Sequence, residues 1–293
     1  MNVLKHCNLC PRACGVNRHA GDRGFCRAGA LPKVAKAFLH HWEEPCLSGS
    51  RGSGTVFFSH CNLRCIFCQN YRISWQGRGR EMTVTDLTDL FLKLQAQGAH
   101  NINLVSPTPY SPFLVPALRE ARERGLAIPV VYNCNAYESI DSLRSLEGLV
   151  DIYLPDLKYV DPEPAGRYSH APYYFNAATA AILEMHRQVG ALVLDDHGLA
   201  RRGLLIRHLV LPGQAGAACR VLDWIKANLP ADTHVSLMAQ YVPVWQARRC
   251  PEINRTLTPA EYETVLDYFE SLGFENGYYQ ELDAATTAYI PDF

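Results

Sequence analysis

Short apolar segments rich in β-branched residues alternate with amphipathic segments from residue 54 onward. Near-continuous apolar runs are typical of parallel strands that are covered on both faces. The pattern predicts strands at 54–59, 101–106, 128–133, 151–154, 204–211 and 234–241. Positions with helical spacing lie between them at 86–97, 113–124 and 173–189, and a glycine follows each of these helices. A final helix begins after Thr258, where Thr258-Pro259-Ala260-Glu261 predicts a capping box.

This alternation predicts the α/β fold class. Successive β-then-α units imply a parallel sheet with right-handed crossovers, either a partial barrel or an open doubly wound sheet. No G-x-G-x-x-G motif follows the first predicted strand, which argues against dinucleotide binding. Residues 1 to about 50 lack this periodicity and are rich in cysteine, which indicates an extension of a different kind.

Composition and charge exclude several classes of protein. The chain has 293 residues, of which 48% are hydrophobic and 19% charged, so it is not disordered. Its net charge is −1, so no overall positive field attracts nucleic acid or an anionic membrane, and we expect neither as a partner. The start has no secretory signal pattern, and no segment approaches the ~20 apolar residues of a membrane span. We therefore expect a cytoplasmic protein.

Cysteine is the one residue type that is unusually frequent and clustered. Eleven cysteines in a chain this large do not suggest a disulfide framework. Cys61, Cys65 and Cys68 directly follow the first predicted strand with the spacing C-x-x-x-C-x-x-C. Three thiolates on one tight loop can hold a four-iron cluster and leave one iron open to an exogenous ligand. A zinc site completed by the adjacent His60 and three buried cysteines without metal are the alternatives.

With an aromatic residue just before its third cysteine, the triplet resembles the radical S-adenosylmethionine superfamily. The similarity is closest to the branch of pyruvate formate-lyase-activating-enzyme-like iron–sulfur proteins, and it covers essentially the whole chain. It implies a partial (β/α)6 barrel in which the open iron of a [4Fe–4S] cluster binds S-adenosylmethionine. One electron from the cluster then cleaves this cofactor to methionine and a 5′-deoxyadenosyl radical, which takes a hydrogen atom from a substrate.

The resemblance also implies roles for residues at strand ends, where α/β barrels place their chemistry. Cys61, Cys65 and Cys68 are the implied cluster ligands, and Phe67 is expected against the adenine. The segment Ser106-Pro107-Thr108-Pro109 stands where the superfamily usually has Gly-Gly-Glu-Pro. Ser106, Thr108 or backbone carbonyls are therefore expected to hold the amino group of the methionine moiety.

Four later sites in the sequence resemble elements of glycyl-radical activases or stand where these have a functional residue. Asn133-Cys134-Asn135-Ala136-Tyr137 is similar to their Asp-Thr-Asn-Gly-aromatic segment, with Asn133 in place of the acidic residue. Asp156-Leu157-Lys158 matches their Asp-x-Lys element, whose lysine can pair with the methionine carboxylate, although an ordinary ion pair is the alternative. Arg207 is expected to meet that carboxylate or an acidic substrate, or to form a structural salt bridge. Gln240 stands where activases often place a histidine near the ribose.

The amino-terminal cysteines predict a second metal centre. Cys7, Cys10, Cys14 and Cys26 have the spacing C-x₂-C-x₃-C-x₁₁-C, and four thiolates can close a tetrahedral zinc site. The same thiolates can hold an auxiliary iron–sulfur cluster, and four unligated structural thiols are the third possibility. We favour zinc because the sequence shows no electron path from this segment. A closed site would stabilise a segment too short to have its own core.

These observations divide the chain into three predicted parts. Residues 1–50 form a metal-binding extension, 51–245 the radical S-adenosylmethionine barrel, and 246–293 a carboxy-terminal helix and aromatic tail packed on the barrel. Arg64, Arg72, Arg78 and Arg80 form either a solvated loop or a docking surface for an acidic electron carrier near the cluster. A low-potential donor of the flavodoxin or ferredoxin type is the partner we expect.

Two classes of function follow from the sequence. The first is an oxidoreductase that generates a radical, for which the activase analogy suggests a protein glycine as target and leaves peptides and small molecules open. The second is a cysteine-rich zinc-binding interaction module without radical chemistry. The neutral charge and the lack of a basic stripe argue against nucleic acid as its ligand. Anaerobically purified protein should be brown in the first case and colourless in the second.

Overall fold

One mostly parallel β-sheet forms the centre of the protein. The structure is a computed structural model and describes residues 2–289 and 291–293. Its strands are β1 (Lys33–His40), β2 (Ser53–Phe58), β3 (Arg80–Glu81), β4 (Ile102–Val105), β5 (Val130–Cys134), β6 (Ile152–Pro155), β7 (Val193–Leu194), β8 (Ala200–Leu209), β9 (His234–Met238) and β10 (Gly277–Tyr279).

Helices connect these strands and cover the outer face of the sheet. The α-helices are α1 (Pro45–Ser48), α2 (Tyr71–Ser74), α3 (Val84–Ala96), α4 (Ser111–Glu123), α5 (Ile140–Arg144), α6 (Pro162–Ser169), α7 (Tyr174–Val189), α8 (Ala215–Asn228) and α9 (Pro259–Ser271). Short 3-10 helices occur at Asn2–Lys5, Arg18–Ala20, Thr108–Tyr110, Trp245–Arg249, Pro251–Ile253, Leu282–Ala284 and Thr287–Tyr289.

The strand order is β10-β9-β8-β6-β5-β4-β2-β1-β3, with β7 paired to β8 outside this path. Along this path all neighbours from β10 to β2 are parallel. Strand β1 runs antiparallel to β2 and to β3, and β7 runs antiparallel to β8. Residues of β2 and of β10 line one cavity, so the sheet curves around it. The prediction of an α/β fold with a partial barrel is therefore confirmed.

Side chains on the strands alternate between two apolar layers, as the period of two in a strand requires. The outward layer packs against the helices and includes Val56, Leu104, Tyr132, Tyr153 and Ile206. The inward layer is a smaller cluster of Cys46, Leu47, Val131, Ile152, Leu154, Leu192, Ala200 and Leu205. Cys46 and Leu47 belong to α1, so this short helix fills the barrel interior towards the amino ends of the strands.

The predicted strands correspond to β2, β4, β5, β6, β8 and β9, with ends that differ by a few residues. The predicted helices correspond to α3, α4, α7 and α9. Both α3 and α9 begin with a capping box, at Thr83 with Asp86 and at Thr258 with Glu261. The box at Thr83 explains why α3 starts before the predicted residue 86.

Strand β1 is an element that the sequence did not predict, because its residues are mostly half-buried and show no clear alternation. It joins the same sheet as the barrel strands, and β10 joins that sheet from the carboxy-terminal part. The division into three parts stays a prediction, and the sheet contains residues from all three. None of the described helices is long and apolar enough to span a membrane.

Candidate active site

The loop after β2 carries the cysteine triplet at the carboxyl end of the parallel strands. It turns tightly, and both His60 and Arg64 have positive φ angles, of 73° and 54°. Residues other than glycine rarely adopt such backbone conformations, which concentrate at functional sites. The Arg64 guanidinium lies over the Trp75 ring, with 4.0 Å between its central carbon and the ring centroid. This stacking holds the loop against the segment that follows it.

Each sulfur of the triplet accepts a hydrogen bond from a polar side chain of a different element. The amide nitrogen of Asn135 lies 3.3 Å from Cys61 Sγ. The Ser169 hydroxyl lies 2.9 Å from Cys65 Sγ, and the Ser74 hydroxyl lies 3.2 Å from Cys68 Sγ. Hydrogen bonds to sulfur stabilise the thiolate form that a metal requires and influence the potential of an iron–sulfur cluster.

Burial acts in the opposite direction on two of these thiols. It raises the pKa of Cys65 to about 12 and that of Cys68 to about 11, while the nearby Lys158 ammonium lowers both. A buried thiol with a raised pKa is inert in the absence of a metal. The same thiol fits a ligand role, because bound iron supplies the positive charge that removes its proton. The donor set therefore fits an iron–sulfur cluster.

Lys158 and Asp156 follow β6 and form an ion pair near the triplet. Lys158 Nζ lies 2.6 Å from Asp156 Oδ2, and both side chains are largely buried. Tyr174 at the start of α7 orients the backbone here. The Lys158 amide donates to its hydroxyl, and the single hydroxyl proton lies between the Asn135 and Asp156 carbonyl oxygens. Burial lowers the pKa of Lys158, but the Asp156 carboxylate, and the sulfurs of Cys65 and Cys68 when they are ionised, raise it overall, so this lysine stays charged.

One cavity of about 380 Å³ collects most of the predicted site residues. The side that carries the triplet is lined by Cys61, Cys65, Phe67 and Cys68, with Asp156 and Lys158 beside them. Ser106, Asn133, Arg207 and Gln240 also line the cavity. Phe67 is buried and packs edge-on against Tyr241, with 5.8 Å between the ring centroids. The structure thus brings together residues that are up to 180 positions apart in sequence.

Thr108 is the predicted site residue of the barrel that does not line this cavity. It is buried in a 3-10 helix, and its hydroxyl donates to the Glu138 carboxyl, which also accepts from Tyr132. Burial raises the pKa of Glu138 to about 7. Ser106, two residues earlier, has a φ of 56° and does line the cavity. Thr108 therefore fixes the turn that presents Ser106, and a direct contact with the cofactor is not supported by its position.

Arg207 forms ion pairs with two carboxylates that the sequence did not single out. Its guanidinium donates to Glu44, with Nε at 2.7 Å from Oε1, and it also binds Glu43. Although burial raises it, the charge of Arg207 lowers the pKa of Glu44 overall, so this carboxylate is ionised. The structure shows the salt bridge that was one of two interpretations of Arg207, and a contact of Arg207 with the cofactor stays a prediction.

The amino-terminal segment packs beside the cluster loop. Arg12 donates to the backbone oxygens of Asn62 and Ser169, at 3.0 and 3.2 Å. Arg18 is fully buried and donates to the Gly29 and Pro109 carbonyls. Two backbone amides contact cysteine sulfurs, Phe25 at Cys14 and Ala28 at Cys26, each at 3.5 Å. A Cβ added at Gly24 would lie 2.9 Å from Cys14 Sγ, so only glycine allows this close approach.

None of the eleven cysteines forms a disulfide. Across residues 2–289 and 291–293, no three His, Cys, Asp or Glu side chains form a group that could hold a metal ion. The ligands of one zinc ion converge on a single point, whereas those of a [4Fe–4S] cluster bind different irons. His60 packs against Gly77 and does not line the cavity, so it does not join the triplet. The same finding holds for Cys7, Cys10, Cys14 and Cys26, so a zinc centre there stays a prediction that requires the four sulfurs to converge when the metal binds.

The barrel and its thiol-lined cavity define an α/β enzyme with its chemistry at the carboxyl ends of the strands. The family model described as "Radical SAM superfamily" matches residues 55–213, which is more than half of the chain. The chain belongs to the radical S-adenosylmethionine superfamily. Membership implies an enzyme that uses a [4Fe–4S] cluster and S-adenosylmethionine. The zinc-binding interaction module without radical chemistry is therefore the wrong class.

Relatives extend this similarity over nearly the whole chain. The uncharacterized protein MJ0674 of Methanocaldococcus jannaschii is 31% identical over 282 residues, which cover 94% of this chain and 77% of that protein. The uncharacterized protein MJ0808 of the same organism is 27% identical over 174 residues, covering 52% of this chain and 49% of that protein. The fold is similar to the crystal structure of Streptococcus suis SuiB, with a TM-score of 0.51 and 13% identity over 78% of this chain. This chain spans about half of that structure, 48% of its length.

Proposed function

We propose that this protein cleaves S-adenosylmethionine reductively and uses the resulting radical to take a hydrogen atom from a protein, peptide or small-molecule substrate. The observation that carries the proposal is that all three thiols of one loop open into a single cavity together with the Lys158–Asp156 ion pair. This arrangement places the cluster ligands and a charged partner for the carboxylate of an amino acid in the same cavity. The resemblance to glycyl-radical activases supports an activase-type reaction in the cytoplasm.

Different residues of the cavity would hold the cluster and the S-adenosylmethionine. Cys61, Cys65 and Cys68 would hold the cluster, which when reduced supplies the electron that breaks the sulfonium bond. Lys158 would pair with the methionine carboxylate, and Asp156 keeps the lysine side chain in place at 2.6 Å. Phe67 offers an apolar wall for the adenine.

The remaining polar groups of the wall suit the other end of the cofactor. Ser106 and Asn133 can accept hydrogen bonds from the ammonium group of the methionine moiety. They would thus take the place of the glutamate that this sequence lacks. Gln240 is suited to hydrogen-bond a ribose hydroxyl. Its backbone oxygen accepts a hydrogen bond from Gln69 Nε2 at 3.0 Å, which connects this residue to the segment that follows the third cysteine.

Formation of 5′-deoxyadenosine tests the proposal directly. Reconstituted protein reduced with dithionite should convert S-adenosylmethionine to 5′-deoxyadenosine and methionine, measured by chromatography. The Cys65→Ala variant should lose this activity completely, because removing one of three ligands leaves the cluster without its full support. Cys219→Ala is the matched control, since this thiol lies on α8 and does not line the cavity. Cleavage by Cys65→Ala at the wild-type rate would refute the assignment of the site.

A further inference from the structure

We propose that the part of the cavity lined by Glu43 and Glu44 binds a cationic group of the substrate, an ammonium or a guanidinium. This inference rests on the proposed function, because it assigns a substrate class to the same cavity. The relevant surface, here called the distal wall, consists of Trp42, Glu43, Glu44, Arg207 and Tyr279. None of these residues belongs to the cluster loop.

Charge is not balanced along the distal wall. Three carboxylates line the cavity, from Glu43, Glu44 and Asp156, against the two cations Lys158 and Arg207. Asp156 is paired with Lys158, so two carboxylates share the single guanidinium of Arg207. Glu44 accepts hydrogen bonds from both Nε and a terminal nitrogen of that guanidinium, whereas Glu43 accepts only one, from a terminal nitrogen. Glu43 accepts its second donor from Asn103, so about half of the roughly four acceptor sites of its carboxylate remain open to a ligand.

A buried amide holds Glu43 in place. The Asn103 side chain is fully buried and donates from Nδ2 to Glu43 Oε1 at 2.9 Å. Asn103 shares the inner face of β4 with Val105, which lines the cavity, whereas Asn103 itself does not. Its contact therefore fixes the Glu43 carboxylate that faces the cavity.

Two aromatic side chains stand exposed at the same wall. Among the described residues, Leu31, Trp42, Tyr173, Leu183, Val193, Leu194 and Tyr279 are the exposed large hydrophobic side chains, and of these Trp42 and Tyr279 line the cavity. They are 63% and 56% exposed. Exposed aromatic faces next to surplus carboxylates attract organic cations, because the ring quadrupole and the carboxylate both favour positive charge. The distal wall thus combines an excess of carboxylate with exposed aromatic faces, and both features select the same chemistry.

Binding of two matched probes tests the proposal. Lysine amide and norleucine amide, like the arginine amide used below, are Nα-acetylated so that no α-ammonium is present. They have similar side-chain length, and only lysine carries a terminal ammonium. Equilibrium dialysis against the cluster-loaded protein with saturating S-adenosylmethionine should show lysine amide binding at least about tenfold more tightly. Glu43→Gln should reduce this preference about tenfold or more, and Glu123→Gln, an exposed position on α4, is the matched control. Trp42→Leu should weaken binding about three- to tenfold, and because Trp42 is exposed this variant is expected to fold.

Arginine amide, tested in parallel, separates the two cations, and tighter binding of either over norleucine amide supports the proposal. Equal binding of lysine and norleucine amides, or no saturable binding of any cationic probe, would overturn it. Loss of lysine amide binding on addition of S-adenosylmethionine would also overturn it, because the acidic wall would then serve the cofactor. Formation of 5′-deoxyadenosine is measured separately, so failure of this inference is distinguishable from failure of the proposed function.

Discussion

At the scale of single residues, the site depends on side chains that the sequence marked to very different degrees. The cysteine triplet was predictable, because its spacing is specific and local. Glu43 and Glu44 were not, because their partner Arg207 lies more than 160 positions away and two adjacent acids are unremarkable in a sequence. Asn135 lay within a noted motif, but its contact with Cys61 depends on how the loop after β5 packs.

Lys158 provides a direct test at this scale. A charge-assisted contact with the methionine carboxylate contributes ~1.5–3 kcal/mol, so Lys158→Met should weaken S-adenosylmethionine binding about ten- to a hundredfold. Iron content should not change, because the lysine is not a ligand. Isothermal titration of the anaerobic protein measures the affinity, with Lys93→Met on the exposed side of α3 as control. Unaltered affinity would mean that Lys158 serves only as the partner of Asp156.

Glu138 makes stability depend on pH. Burial raises its pKa to about 7, so the folded protein holds this proton at pH values where the unfolded chain, with a pKa near 4.5, has lost it. Stability from this group is fully present below about pH 4.5 and is lost as pH rises to about 7, by at most ~3 kcal/mol. Glu138→Gln stays neutral at every pH. The variant should therefore gain stability relative to wild type between pH 5 and pH 8.

Urea unfolding followed by circular dichroism at both pH values measures this difference. The comparison of two proteins at each pH cancels the titration of other groups. If wild type and Glu138→Gln differ by the same free energy at pH 5 and pH 8, then the Glu138 carboxyl is already ionised in the folded protein.

At the scale of elements, buried parallel strands and capped helices were predictable from local pattern. Strand β1 and helix α1 were not, because β1 is mostly half-buried and α1 is a four-residue turn whose apolar side chains fill the barrel interior. Their structure depends on the space that the other strands leave, and a short stretch of sequence carries no information about that space. The strand at residues 204–211 begins four residues earlier than predicted, because Arg201 and Arg202 are exposed and break the apolar run.

The amino-terminal segment is the element whose metal remains to be measured, and we propose one further centre at Cys7, Cys10, Cys14 and Cys26. The amide contacts to Cys14 and Cys26 support it, since such contacts stabilise thiolates. Metal analysis of a Cys61→Ala/Cys65→Ala/Cys68→Ala variant should yield about one zinc per chain. About four irons would reassign the site to an auxiliary cluster. Neither metal, together with a protease-resistant segment, would show that the four thiols are only packed.

At the scale of the whole molecule, the cluster must receive an electron from outside. Arg78 and Arg80 are exposed and follow α2, whose Ser74 contacts Cys68, while Arg72 pairs with Asp292. We infer that this basic surface docks an acidic flavodoxin or ferredoxin. Opposite charges at the rim of a protein–protein interface mainly increase the rate of association, and this effect is weaker at high salt. The Arg78→Ala/Arg80→Ala variant should therefore be reduced more slowly by flavodoxin, and at an unchanged rate by dithionite.

Stopped-flow absorbance of the cluster measures both rates. Lys93→Ala/Arg119→Ala removes two exposed charges from α3 and α4 and serves as control. The docking surface lies elsewhere if the two double variants accept electrons from flavodoxin equally fast, or if the difference persists unchanged in 0.5 M salt.

The hydrogen bonds to the three sulfurs also bear on the order in which the enzyme matures. Their donors, Ser74, Asn135 and Ser169, come from α2, from the loop after β5 and from the end of α6, so they are supplied by nearly a hundred residues of chain. A nascent polypeptide that has been synthesised only as far as its cysteine loop lacks all three of these donors. Iron delivery is therefore favoured after most of the barrel has been synthesised and closed. By the same logic, a mutation that loosens α6 should release iron before it unfolds the protein.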